Sequence, residues 1–459
     1  MQKPPLFFII ASPFVMFKTD MDIAILSNII YLAVLFYATY GIGKALFNYQ
    51  VGLLSSFLVG MFPGIFALSR SFQIEVALTA IVALTFYLFV LNRFQSIKFS
   101  FIVGIIMGMG LLTKEPYSIY LFPILLYFFL QPENRKDWKR MIGLLFSITI
   151  SLILAWLWYS YPGKVGFKTL YYVIFQCRDN HDPLFYLKSL FFHQLFPIFF
   201  GLFIISLLYF IIKKKFFLPA MIIVLISIFS LANNKEYRFI LPTLPYFAVM
   251  IASSVASMQK LKRFAIMALV ILSFVQFFTI CYAGSLSSLS VDPLLRKYLS
   301  NNFHPENGLY SVSVDKYKNN FDQSIGKLIG AISDNSTKTN TPVLFISDSS
   351  YICPDIVYSA LLRHFPAYVF DSKQDKDISN ISDSELDALC RWEIDIAEFV
   401  LIEELNKGDA FLFKQTLLLD HLFKERLKEF APLEAVVIQH DQRFNYDKRF
   451  YFYKKIHSL

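Results

Sequence analysis

Four short stretches of this 459-residue chain gather side chains able to handle a phosphate and a proton. In "RSFQIEVALT" Glu75 stands in front of an apolar run, and "LLTKEPYSIY" sets Lys114 beside Glu115. "CRDNHDP" (177–183) concentrates Arg178, Asp179, His181 and Asp182, while "NNKEYRFILP" carries Lys235, Glu236 and Arg238. A carboxylate can take a proton from a hydroxyl. A guanidinium grips phosphate oxygens in a bidentate fork, and an ammonium holds them as a point charge. The Asp-x-His-Asp run (179–182) offers imidazole and carboxylate donors to a divalent metal. Each stretch also has a plainer reading. Glu75 would be a solvated carboxylate in a first helical turn, favoured by the macrodipole. Lys114 and Glu115 would be a neighbouring pair at a tight turn ended by Pro116, and 178–182 ordinary loop polarity. Arg238 would snorkel to lipid headgroups. His193, inside an apolar run, reads as a buried hydrogen-bonded histidine rather than a ligand.

The elements that must position these residues are membrane spans. The chain is 56% hydrophobic and 18% aromatic, with 51 Phe, values a soluble protein of this length rarely reaches. A bilayer core of about 30 Å needs apolar stretches of about 20 residues. Ten such stretches are expected, at 24–46, 51–69, 74–91, 99–113, 116–130, 141–160, 187–212, 217–232, 237–256 and 264–284. Residues 4–17 are shorter and read as an interfacial helix or a marginal eleventh span. Lys44, Arg93 and Lys98, "ENRKDWKR" (133–140), "KKK" (213–215) and "QKLKR" (259–263) fall in alternate loops. Basic short loops stay cytoplasmic. Residues 69–75, 113–116, 161–186, 233–238 and everything after 284 therefore face outward. The net charge of +9 belongs largely to this orientation signal and implies no nucleic-acid partner. Four cysteines, Cys177, Cys281, Cys353 and Cys390, show no metal spacing. The N-terminus lacks the small-residue cleavage site of a signal peptide.

The expected fold class is an α-helical polytopic membrane protein with 10–11 transmembrane helices over 1–284, followed by a C-terminal extracytoplasmic α/β domain over 285–459. In the latter, "PVLFIS" (342–347), "AEFVLIEE" (397–404), "LEAVVIQH" (433–440) and "RFYFYKKI" (449–456) read as strands. Residues 354–364 and 410–429 read as helical, and "SDNSTKTNT" (333–341) as a polar linker.

Several segments, in order, resemble the GT-C superfamily of polyprenyl-phosphate-sugar glycosyltransferases: the aminoarabinose transferases of lipid A, the protein O-mannosyltransferases and the RgtA/B/C/D-like enzymes. "KPPLFFIIASPF" (3–14) is similar to the family's Lys/His-Pro-Pro-Leu and aromatic stretch. Residues 43–84 resemble its pattern of basic loop, helix, small residue and Pro, Ser-Arg, acid and helix. "GIIMGMGLLTKEP" (104–116) is similar to its small-residue helix ending in Leu-Thr-Lys, and "YRFILPTLPYFAVMIA" (237–252) to its double-proline helix.

The resemblance implies a multi-pass inner-membrane glycosyltransferase. It would move a sugar from a polyprenyl-phosphate carrier to an extracytoplasmic hydroxyl on lipid A, a polysaccharide or a protein. It places Glu75 at the family's second acidic position, as a residue assisting catalysis. It places Lys3 and Arg238 near the carrier phosphate, with Lys114 on the family's Thr-Lys; Lys235 and Arg178 are further candidates for substrate binding. A divalent metal would fall to Asp179, His181 and Asp182; no other cofactor is implied. The family also carries an earlier helix and an acidic outward loop holding the expected base, and both would precede Lys3. A start assigned too late leaves the enzyme reading intact, whereas a truncated copy would be a catalytically inactive homologue. A lipid-carrier transporter or structural envelope protein is the remaining reading, although no paired broken halves of the transporter kind stand out.

Overall fold

A computed structural model of the chain describes residues 4–17, 21–160, 182–232, 235–258, 261–286, 343–346, 383–396, 399–403, 414–438 and 448–456. They fall into two compact units, one within Gln2–Val165 and Asp182–Cys281, the other chiefly within Tyr282–Leu459.

The first unit is helical: α1 (Leu6–Phe17), α2 (Met21–Ile25), α3 (Asn28–Leu46), α4 (Tyr49–Met61), α5 (Pro63–Leu68), α6 (Ile74–Leu91), α7 (Ile97–Leu111) and α8 (Tyr117–Leu130). Then come α9 (Pro132–Lys136), α10 (Trp138–Tyr159), α11 (Phe185–Ser189), a π-helical turn over Leu190–Gln194, α12 (Phe196–Ile212) and α13 (Phe217–Leu231). A 3-10 segment over Tyr237–Thr243 leads into α14 (Leu244–Ala256), followed by α15 (Lys262–Leu286). Helix α6 is apolar around its circumference apart from Glu75, Thr79 and Thr85, and it lies inside the bundle. Its two threonines return their hydroxyls to its own backbone, Thr79 to Glu75 O at 2.7 Å and Thr85 to Ile81 O at 2.8 Å. Local caps set several ends. Asn48 accepts from Val51 N, Asp137 accepts from Lys139 N and Arg140 N, and Asn92 closes α6 in the left-handed region at φ 51°.

Contacts between loops sort them into two ends. Asn92 Nδ2 donates to Asn134 Oδ1 at 2.6 Å, and Arg140 Nη1 donates to the same oxygen at 2.8 Å. Lys215 lies 5.2 Å from the Phe47 ring centroid, and Lys262 bonds Gln50. These contacts tie the basic loops together in two groups. At the other end of α6, Asn28 Nδ2 donates to Ser69 O at 2.9 Å and Ser71 O at 2.8 Å.

Among the described residues, four helices are long and apolar enough to cross a bilayer: Ile23–Leu46, Ile74–Leu91, Trp138–Trp156 and Tyr237–Ala256. Two of the expected continuous spans are broken. Residues 51–69 divide at Phe62, because Pro63 has no N–H to continue the helix of α4. Residues 187–212 bend by 119° between Gln194 and Phe196. There Phe196 takes a left-handed φ of 63°, next to Pro197. Helices α7, α8 and α13, of 15, 14 and 15 residues, are each shorter than a full span. At 1.5 Å per residue they reach about 22 Å, so a bilayer around them must thin or the flanking residues must snorkel.

Helices α3 and α4 cross through glycine. A Cβ on Gly52 would lie 2.7 Å from Tyr40 O, and one on Gly43 would lie 2.9 Å from Gly52 Cα. Small residues allow this backbone approach between apolar helices. Gly52→Val is expected to destabilise the protein by about 2 kcal/mol through overpacking. A thermal melt in detergent reads the effect, and a variant that melts with the wild type would disprove the close crossing.

The second unit contains a four-stranded sheet of order β1-β2-β4-β3. Its strands are β1 (Val343–Ile346), β2 (Phe399–Glu403), β3 (Phe430–Ile438) and β4 (Lys448–Lys455). Strands β1 and β2 are parallel, pairing Val343 with Phe399. Strand β4 runs antiparallel to both β2 and β3. Pro432 sits on edge strand β3 beside a register shift at Pro432/Glu434, where a missing N–H does least harm. Helices α16 (Asp383–Ile396) and α17 (Lys414–Glu425) supply Cys390, Ile394, Leu422 and Phe423 to a core shared with Val400 and Phe430. Residues 354–364 lie outside the described residues.

Candidate active site

Glu75 occupies the first turn of α6, where exposed backbone N–H groups favour a negative charge. It is only 3% exposed, so a partner is required. Two other elements provide one. Lys114 follows the end of α7 and donates from Nζ to Glu75 Oε1 at 2.7 Å. Arg238, second residue of the 3-10 segment, brings Nε to 3.4 Å from the same oxygen and also bonds Glu236 Oε2. Two cations thus face two carboxylates, and the arrangement is layered. The Glu75 side chain is 4% exposed, against 17% for Lys114 and 32% for Arg238. The negative charge lies underneath and the positive charge towards the surface.

The surroundings hold this geometry. Lys114 Nζ stands 5.3 Å from the Phe239 ring centroid, a cation–π contact. Gln194 Nε2 donates to Tyr237 O at 2.8 Å, and the Tyr120 hydroxyl donates to Phe239 O. Leu6 N donates to Leu112 O at 3.1 Å, docking the start of α1 two residues from Lys114.

Beside this cluster, Asp182 Oδ2 accepts from Lys188 Nζ at 2.7 Å, and Oδ1 accepts from Leu184 N at 3.0 Å. The Lys188 hydrogen bond is the largest influence holding the Asp182 carboxyl below its ordinary pKa, and Lys235 adds to it. Lys235 is itself 3% exposed. Burial lowers its ammonium pKa, and the charge of Asp182 opposes that shift.

The structure therefore brings together Glu75, Lys114 and Arg238, and couples Lys235 to Asp182. Lys3, Arg178, Asp179 and His181 lie outside the described residues. Three of the plainer sequence readings are corrected. Glu75 is not solvated, because two cations from other elements cover it. Lys114 bonds Glu75 across 39 residues of sequence, rather than forming only a local pair with Glu115. Arg238 is drawn to carboxylates and does not simply snorkel. Asp182 is occupied by Lys188, and among the described residues no group of three or more His, Cys, Asp and Glu could hold a metal ion. Tyr120 and Gln194 were not singled out in the sequence. Glu236 was named there only as a neighbour of Lys235 and Arg238, and its bond to Arg238 is what the structure adds.

Residues 2–160 match the family model described as dolichyl-phosphate-mannose-protein mannosyltransferase. No curated protein matches the chain significantly. Among solved structures, ArnT from Cupriavidus metallidurans bound to undecaprenyl phosphate superposes with a TM-score of 0.62 at 10% identity, over 99% of this chain and 88% of that one. The apo form of the same protein gives 0.57 at 10% identity, over 98% and 87%. The apo oligosaccharyltransferase of Archaeoglobus fulgidus gives 0.51 at 11% identity, covering 94% of this chain and 65% of that one. The chain has a GT-C-like α-helical membrane-protein fold similar to that of ArnT and the archaeal oligosaccharyltransferase, and residues 2–160 match the mannosyltransferase family model.

Proposed function

We propose that the protein is a multi-pass inner-membrane glycosyltransferase that draws its sugar from a polyprenyl-phosphate carrier. The sugar passes to a hydroxyl of lipid A, a polysaccharide or a protein on the extracytoplasmic side, the side that also holds the second unit. The acceptor oxygen attacks the anomeric carbon, and the bond from that carbon to the phosphate oxygen breaks. The carrier phosphate leaves with the bonding electrons, and the acceptor's proton goes to a base. The configuration inverts. The one observation that supports this most is the layering at Glu75, where a buried carboxylate holds two more exposed cations. Fixed positive groups at a leaving phosphate stabilise the charge that grows in the transition state.

Among the described residues Arg238 meets both carboxylates through Nε, and in this reading its two terminal nitrogens give a bidentate grip on phosphate. Lys114 supplies a second charge, and Lys3 and Lys235 flank the same region in this reading. Glu75 acts as a positioning residue, since a carboxylate shared by two cations is a weak base. Proton removal then belongs to another carboxylate.

Membranes containing the full chain, given a radiolabelled polyprenyl-phosphate sugar and envelope acceptor, test the reading. Lys114→Ala should lower transfer about 30-fold if the ammonium stabilises the leaving phosphate. Wild-type transfer by this variant, at equal expression, would remove Lys114 from the site.

A further inference from the structure

The segment that carries Arg238 is unusual in length. It stays 3-10 helical for 7 residues, Tyr237–Thr243, whereas runs beyond three or four are uncommon because the hydrogen-bond geometry is poorer. An α-helix there would pair each carbonyl with the N–H four residues on. Pro242 and Pro245 have no N–H, which removes that partner from the carbonyls of Arg238 and Leu241. The carbonyls of Tyr237 and Phe239 keep an available α-partner, in Leu241 and Thr243. These are the two that side chains from elsewhere occupy: Gln194 Nε2 on Tyr237 O at 2.8 Å, and the Tyr120 hydroxyl on Phe239 O. They flank Arg238 on either side. Both side chains are buried, Gln194 at 0% and Tyr120 at 1% exposed.

We propose that Tyr120 and Gln194 are positioning residues for Arg238, holding its segment 3-10 helical so that the guanidinium meets Glu75. The inference rests on the reading of Arg238 as a phosphate contact. A 3-10 helix turns 120° per residue and an α-helix 100°, so from Pro242 back to Arg238 the two differ by about 80°. That rotation would carry Arg238 off Glu75. Gln194 is in turn seated against Gly64, where an added Cβ would lie 1.8 Å from its Oε1. Gly64 thus clears the space from which Gln194 reaches Tyr237.

The full chain in detergent, titrated with undecaprenyl phosphate, supplies one test. Tyr120→Phe and Gln194→Leu, each losing one hydrogen bond, should weaken binding about tenfold. Gly64→Ala should act like Gln194→Leu. Because Tyr120 acts through Arg238, Tyr120→Phe should add nothing in an Arg238→Gln background. Wild-type affinity in Tyr120→Phe and Gln194→Leu, or a full independent loss in the double variant, overturns the proposal. Hydrogen exchange across 237–243 decides it separately, without any lipid. Uptake should rise in Tyr120→Phe and Gln194→Leu, and unchanged uptake in both rejects the positioning role. If Arg238→Gln binds the lipid as the wild type does, the phosphate reading fails, and the exchange result still judges the two pins.

Discussion

Glu75→Ala is expected to reduce sugar transfer below detection and to lower stability by about 2–4 kcal/mol. The two effects share one cause. Glu75 is the point where α6, the end of α7 and the 3-10 segment meet, and its carboxylate shares one oxygen between Lys114 and Arg238. Removing it leaves two cations side by side, with Glu236 the remaining carboxylate bonded to Arg238 among the described residues. Lys114 and Arg238 are partly exposed, so water relieves some of the repulsion, and the lower part of the range for a broken buried pair applies. The catalytic loss is larger than the stability loss because both cations move, and phosphate stabilisation depends on position. Glu75→Gln separates the contributions. It keeps an oxygen for Lys114 and preserves the volume, so stability should recover in part while transfer stays low. A transfer assay alongside a detergent melt reads both quantities. An active Glu75→Ala variant would end the view that this carboxylate organises the site.

How far the sequence anticipates this arrangement depends on whether the governing interaction is local. Helix α6 was expected at 74–91 and is observed at Ile74–Leu91, because an unbroken apolar run bounded by Glu75 and Asn92 is its own evidence. The strands β2 and β4 fall within two residues of their expected limits for the same reason. The bend in 187–212 was invisible, since "LFFHQLFPIFFG" is apolar apart from His193 and Gln194 and proline is tolerated in a helix's first turn. What marks the break is tertiary, with Gln276 Nε2 donating to Leu195 O at 3.1 Å from 81 residues away. Helix α16 was missed because its mean hydropathy is low and only one face, with Cys390 and Ile394, meets the sheet. At the site, residue types were legible but pairings were not. Glu75 and Lys114 each stood out, yet the fold selects Glu75 over the adjacent Glu115 as the acceptor of the Lys114 hydrogen bond, and no spacing rule predicts that choice.

Arg238→Gln is expected to cut transfer about 100- to 1000-fold, the scale of losing a preorganised donor to developing negative charge. Stability should change less than in Glu75→Ala. Glutamine retains hydrogen-bonding capacity near Glu236, and Lys114 still neutralises Glu75. Arg238→Lys is the sharper variant. Its ammonium restores the charge but loses the planar fork, and it cannot contact carboxylates by one nitrogen while presenting two others in parallel to a phosphate. Two mechanisms then part company. If Arg238 serves only as structural counter-charge to Glu75 and Glu236, lysine should restore both the melt and the transfer rate. If its terminal nitrogens hold the carrier phosphate, lysine should restore the melt and leave transfer at least about tenfold low, because charge without bidentate geometry is an incomplete substitute. Salt should distinguish them as well. A surface-facing grip on phosphate weakens as ionic strength rises, whereas the Lys114–Glu75 bond beneath it is screened less. The apparent affinity for the carrier should therefore fall with added salt while the thermal midpoint holds.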